Sequence, residues 1–286
     1  MNKTSQFKKI LLIVLVGILS LALAISGSIL LDPISNALAA MGLPKDMATD
    51  VAGSYATIIT PTVFLIYYAI RRNKENFKTV MPFSADHFVP KYLISWCVGI
   101  VAFLIIWLIA NSMNAFNVTN NWHVSKIGIL LLFMGGYVFQ GMSEEIICRG
   151  FLQGAVSKIS GNKVGIIVSV LFFAVFHSFN PGLTPLAFLN LLIFALGMSV
   201  LRLATDNIWL SSGIHSAWNF TQGTITGVMV SGLTPSFSVF TSNPVAGKTW
   251  LNGAMFGMEG SLMCTLAFSS FLVGAVIILK KNKKSI

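Results

Sequence analysis

"IGILLLFMGGYVFQGMSEEIICRG", residues 127–150, begins as an apolar run and ends on two adjacent glutamates followed four residues later by an arginine. An apolar run of this length suits a helix crossing a hydrocarbon core of ~30 Å. A helix is also the element that satisfies its own backbone in lipid. The three charges therefore require a reason, because an ionisable side chain within a span costs a few kcal/mol.

Similar runs recur at about 8–31, 52–70, 92–110, 164–179, 186–204, 207–225 and 260–279, and the 127–148 run has no proline to stop it further on. The expectation is an all-α, polytopic membrane protein of about eight transmembrane helices, forming one membrane-embedded domain over 1–286. Composition agrees: 55% of the 286 residues are hydrophobic and 10% are charged, against about a quarter charged in soluble domains. The stretches 71–91 and 226–258 read as connections.

The net charge of +10 does not point to nucleic acid, because the basic residues are spread over short loops and act as topology signals. With the N-terminus inside and sides alternating, sixteen of the nineteen Lys and Arg residues fall on the inner side, leaving Lys45, Lys126 and Lys248 outside. Both termini are then expected in the cytoplasm. Cys97, Cys148 and Cys264 lack metal-ligand spacing and read as packing residues. The A-x-A pattern near Ala39 follows a run too long for a signal peptide. The terminal "KKSI" and the "NVT" at 117–119 read as a basic tail and an outer loop.

Few ionisable or amide groups remain inside the spans: Glu144, Glu145, Arg149, His177, His215 and Asn219. Glu145 and Arg149 are i, i+4 with the acid first, the favourable order for a helical ion pair. Glu144 is turned by about 100° from Glu145, which leaves it the free carboxylate. His215 and Asn219 are also i, i+4, so an imidazole and an amide share one face. Phe173 precedes His177 by one turn and can pack against its ring. At ~1.5 Å per residue, these groups reach a similar depth if the helix bearing Glu144 runs past Arg149 to about Lys158. The expected result is one cavity, reached from the cytoplasm. His87 and His123 fall in loops and read as solvated.

Three motifs, "EEIICR" at 144–149, "FAVFH" at 173–177 and "HSAWN" at 215–219, resemble the EExxxR, FxxxH and HxxxN of the CAAX prenyl protease type II and bacteriocin-processing (CPBP, or Abi) intramembrane proteases. The resemblance spans about 127–225, the expected catalytic core, and departs from the family at Cys148, where an aromatic residue is common. It implies an intramembrane endopeptidase in which Glu144 is general base to a water that His177 helps hold. His215 and Asn219 would form the oxyanion site, with Glu145, Arg149 and Phe173 in structural support.

The resemblance points to a metal-free site with no cofactor. Glu144, His177 and His215 are nonetheless the donor types of a zinc site with an open position, which is the alternative. No Gly-x-Ser-x-Gly elbow supports a serine nucleophile. The expected partners are the bilayer and a membrane-associated peptide or protein substrate, either CAAX-type or bacteriocin- or pheromone-like. The competing function is a non-catalytic scaffold or self-immunity protein of the same fold. A bacterial plasma membrane is the expected location, with the endoplasmic reticulum as the alternative in a eukaryote. Sequence leaves the oligomeric state open.

Overall fold

The computed structural model describes residues 3–71, 81–82 and 87–283. Arg72, Lys74, Lys78 and Lys284, which figured in the charge pattern, lie outside the described residues. Helices dominate, in the order α1 (Lys3–Ser26), α2 (Ser28–Ala40), α3 (Lys45–Ala56), α4 (Ile59–Arg71) and α5 (Phe88–Ser112). Strand β1 (Phe116–Asn120) follows, then α6 (Ile127–Glu145), a π-helical segment (Ile146–Leu152), α7 (Gln153–Ser160), α8 (Asn162–His177) and α9 (Pro185–Thr205). Next come α10 (Ile208–Phe220), a second π-helical segment (Thr221–Ile225), β2 (Phe240–Pro244), the short α11 (Thr249–Asn252) and α12 (Leu262–Lys281).

Among the described residues six helical stretches are long and apolar enough to cross a membrane: Gln6–Ala40, Lys45–Tyr67, Phe88–Ser112, Val124–Ser160, Pro185–Thr205 and Leu262–Lys281. The chain is thus an all-α integral membrane protein. The other two expected spans are also helical but shorter, α8 with 16 residues and α10 with 13. The first run is longer than expected, with a break at Gly27 before α2 carries it on to Ala40. Outward-facing Leu, Ile and Val side chains line α1, as lipid contact requires, whereas α9 is the most buried span.

The core is aromatic. Phe103, Phe173, Phe194, Trp218 and Phe268 belong to one cluster joining α5, α8, α9, α10 and α12. Edge-on and tilted ring pairs connect it, with Phe103 and Trp218 5.0 Å apart and Phe194 and Phe268 5.1 Å apart. Such pairs contribute about 0.5–1.5 kcal/mol each beyond their area.

Segment 226–261 is a built cap, more than the plain connection its composition suggested. β1 and β2 pair antiparallel, Phe116 opposite Pro244 and Val118 opposite Ser242. Asn252 Nδ2 donates to the Ala115 and Val245 carbonyls, each at 3.0 Å. Trp107 Nε1 donates to Ser242 Oγ at 3.1 Å, and the Ser236 backbone N–H donates to Asp50 at 2.9 Å. The segment is held by satisfying its polar groups against neighbouring elements and by burying Val228, Leu251, Phe256 and Met258 in the aromatic cluster.

Candidate active site

The helix carrying Glu144 does continue past Arg149, but not as a regular α-helix. After Glu145 it widens into the π segment before tightening again in α7, which ends at Ser160. Ser169 Oγ on α8 donates to the Cys148 carbonyl at 2.9 Å, a contact that supports the widened turn from outside. π turns occur mostly as short bulges, often at functional sites.

Glu145 and Arg149 form the expected ion pair at 2.8 Å, both side chains fully buried. The guanidinium also lies over the Phe173 ring, 4.4 Å from its centroid. Phe173 packs on His177 with centroids 4.3 Å apart, as its spacing suggested, so one ring links the first motif to the second. Glu145 does more than pair with arginine: its Oε1 also accepts a hydrogen bond from His215 Nδ1 at 3.0 Å. That bond fixes the ring and aims Nε2 the other way.

Nε2 of His215 faces Glu144 Oε2 at 3.8 Å, and Nε2 of His177 faces the same oxygen at 3.6 Å. The His177 ring is fixed in turn by an Nδ1–H bond to the Phe173 carbonyl at 2.9 Å. Both separations exceed a direct hydrogen bond, and Glu144 Oε2 is a buried acceptor with no hydrogen-bond partner among the described residues. The arrangement suits one bridging water in contact with a carboxylate and two imidazoles.

The other Glu144 oxygen accepts from Gln140 Nε2, and Gln140 Oε1 accepts from Asn219 Nδ2 at 3.0 Å. The expected pairing of His215 and Asn219 is therefore modified, because one amide N–H of Asn219 is engaged by Gln140. An amide has two donors, so the second remains for the cavity. Sequence reading missed Gln140, although it lies one turn before Glu144 and on its face.

These groups line a cavity of about 190 Å³. Its wall also includes Asn180, Ser231 and Glu259, none of which the motifs indicated. Ser231 donates to Glu259 Oε2 from its backbone N–H at 2.6 Å and its hydroxyl at 2.7 Å. Burial pushes the Glu259 carboxyl above the usual carboxylate range, against the pull of those hydrogen bonds. His87 and His123 are exposed, as expected of loop residues, and Cys148 and Cys264 are buried while Cys97 is exposed.

The cavity sits at the capped end of the bundle. His177 is the last residue of α8, whose first turn carries Lys163, and Ser231 and Glu259 come from the cap. Toward the basic end the cavity is closed by Phe173, Phe194 and Phe268 of the packed core. Lys163 and the cavity thus lie at opposite ends of α8.

The zinc alternative has suitable donor types, yet among the described residues no three His, Cys, Asp or Glu side chains are arranged to hold a metal ion.

Residues 126–221 match the Rce1-like family, the type II CAAX prenyl endopeptidases. The match covers about a third of the chain and is consistent with the resemblance of its three motifs to the CPBP family. It runs from the start of α6 to the end of α10 and contains Gln140 along with every motif residue. Glu259 and the cap lie outside the Rce1-like segment. No curated protein and no solved structure matched the chain.

Proposed function

We propose that this protein is a glutamate-dependent intramembrane endopeptidase acting on a membrane-associated peptide or protein. The observation that carries this reading is the unpartnered Glu144 Oε2, buried within water's reach of two imidazoles whose other nitrogens are both engaged. Among the described residues the one hydrogen-bond donor to Glu144 is Gln140, on Oε1, and no lysine or arginine pairs with it, in contrast to Glu145.

In this scheme Glu144 removes a proton from the water as its oxygen attacks the scissile carbonyl carbon. His177 has its Nδ1–H committed to a carbonyl, so its Nε2 lone pair accepts from the same water and orients it. His215 lies between two carboxylates; as imidazolium it donates Nδ1–H to Glu145 and Nε2–H to the oxyanion. The free Asn219 N–H completes the oxyanion site. Collapse of the tetrahedral species breaks the C–N bond, and Glu144 returns its proton to the departing amine. General-base catalysis contributes about 10²–10⁴-fold, and each oxyanion donor about 3–4 kcal/mol. The substrate would enter from the capped end, because the opposite side of the cavity is packed.

The test is hydrolysis of quenched-fluorescent peptides by the purified full chain in nanodiscs, with and without a strong chelator. Cleavage should persist in chelator and fall by at least about 10²-fold in Glu144→Gln. Chelator-sensitive activity restored by zinc would overturn the metal-free scheme. If Glu144→Gln retains the cellular role of the wild type, the scaffold reading replaces it.

A further inference from the structure

Glu259 is the second carboxylate in the cavity wall, beside Glu144, and the hydrolytic scheme gives it no task. Its side chain is 7% exposed, and its place is well determined. Asn190 Nδ2 holds the Glu259 carbonyl at 2.7 Å, and Ser231 supplies both donors to Oε2. Oε1 accepts no hydrogen bond from the described residues, and no salt bridge reaches this carboxylate among them.

A buried acid ordinarily has a basic partner, because leaving one uncompensated costs several kcal/mol. The lysines at this end of the molecule are engaged elsewhere. Lys248 Nζ donates to the Met113 carbonyl at 2.6 Å, Lys126 Nζ to the Asn121 carbonyl at 2.8 Å, and Lys45 Nζ to Asn36 at 2.9 Å. Arg149 is committed to Glu145 and Phe173. The cavity therefore presents unpartnered carboxylate oxygens on Glu144 and Glu259 and, among the described residues, no lysine or arginine in its wall; the groups there that can carry positive charge are His177 and His215, whose Nε2 atoms face Glu144. Its volume of about 190 Å³ exceeds the space needed by one water.

We propose that Glu259 is a binding subsite for a primary ammonium group of the substrate, either its N-terminus or a lysine side chain. Such a group supplies up to three donors and a positive charge, compensating the acid when the cavity fills and orienting the chain relative to Glu144. The charge-assisted contact is strengthened by loss of water from the site. The source of the ammonium rests on the peptidase reading above; the affinity of the cavity for a cation does not.

Two experiments separate these claims. In the first, purified full-length protein is given matched peptides with a free or acetylated N-terminus, and with lysine or norleucine at successive positions around the cleavage site. Wild type should favour one cationic form by about tenfold or more in kcat/KM; Glu259→Gln should bring that ratio to near one, Glu259→Asp should retain most of it, and Glu259→Lys should reverse it toward an acidic peptide. The acetylation and norleucine arms distinguish the two sources. An unchanged ratio in Glu259→Gln, or no cationic preference in wild type, overturns the proposal.

In the second experiment the same labelled peptides are bound at equilibrium to Glu144→Ala and to Glu144→Ala with Glu259→Gln. Tighter binding of the cationic form, lost in the double variant, supports the subsite even if no peptide is cut, in which case the peptidase reading alone fails. Equal binding of cationic and neutral peptides to Glu144→Ala overturns the subsite.

Discussion

Glu145 and Glu144 are neighbours in sequence with opposite environments, and that contrast can be measured. Glu145 is fully buried between Arg149 and His215, its Oε1 bonded to both, whereas Glu144 opens onto the cavity and pairs with no lysine or arginine among the described residues. Glu145→Gln would leave a buried guanidinium without its counter-charge, a loss of about 3–5 kcal/mol for a broken buried pair. Glu144→Gln removes an acceptor that holds only Gln140, and stability should change little. Thermal unfolding in one detergent should therefore show a clear fall in Tm for Glu145→Gln and almost none for Glu144→Gln, although both lose hydrolysis. Equal falls would mean that the two acids have been assigned the wrong tasks. The Glu145–Arg149 pair was legible in the sequence because helical spacing is local. The bond from His215, separated from Glu145 by 70 residues, was not, since periodicity carries no information about which distant helix lies opposite.

Among the elements, α10 is decisive, because it brings the third motif against the first. It is held closely between α5 and α6 by glycines on both neighbours. A Cβ added at Gly141 would meet the Ser216 backbone N at 2.6 Å and Cα at 2.7 Å, and one at Gly99 would meet the Ile214 carbonyl oxygen at 2.6 Å. Backbone cannot swing aside as a side chain can, so Gly141→Ala must push α6 and α10 apart. The expected cost is about 1–3 kcal/mol, as for other overpacked sites, with a lower kcat/KM as Gln140 moves away from Asn219. Gly128→Ala is the control, since nothing lies within 4 Å of its added Cβ, and activity and Tm should stay at wild-type values there. A Gly141→Ala protein indistinguishable from that control would show that this close approach is dispensable. Glycines four apart, Gly161 with Gly165 and Gly223 with Gly227, suit close helix contact, but only some of them serve it. Gly165 does lie close to α7, but Gly161 and Gly227 have positive φ and serve turns. The π segment was illegible for a related reason: its residues suit an α-helix, and support for the wider turn comes from α8 through Ser169.

At the scale of the whole molecule the two ends differ in charge and in construction. Lys158, Lys163 and Arg202 lie near one set of helix ends, together with Lys280 and Lys281 of α12, while the other end carries the β1–β2 pair, α11 and Glu259. The helices themselves were legible because lipid forces long apolar runs. The cap was not, since its residues make strands and short turns only through partners such as Ala115 and Asp50, far away in the chain. If basic residues mark the cytoplasmic side, the cap and the mouth of the site face the opposite side. Single cysteines test this in intact bacterial cells, with Cys97 replaced by serine and the buried Cys148 and Cys264 retained. Ala246→Cys, on the exposed surface of the cap, should react with a membrane-impermeant maleimide in intact cells. Asn282→Cys, just after α12, should react only after permeabilisation. The reverse pattern would place the cavity mouth on the cytoplasmic side and show that the basic loops are not the inner ones; labelling of both from outside would contradict a bundle with these two positions at opposite ends.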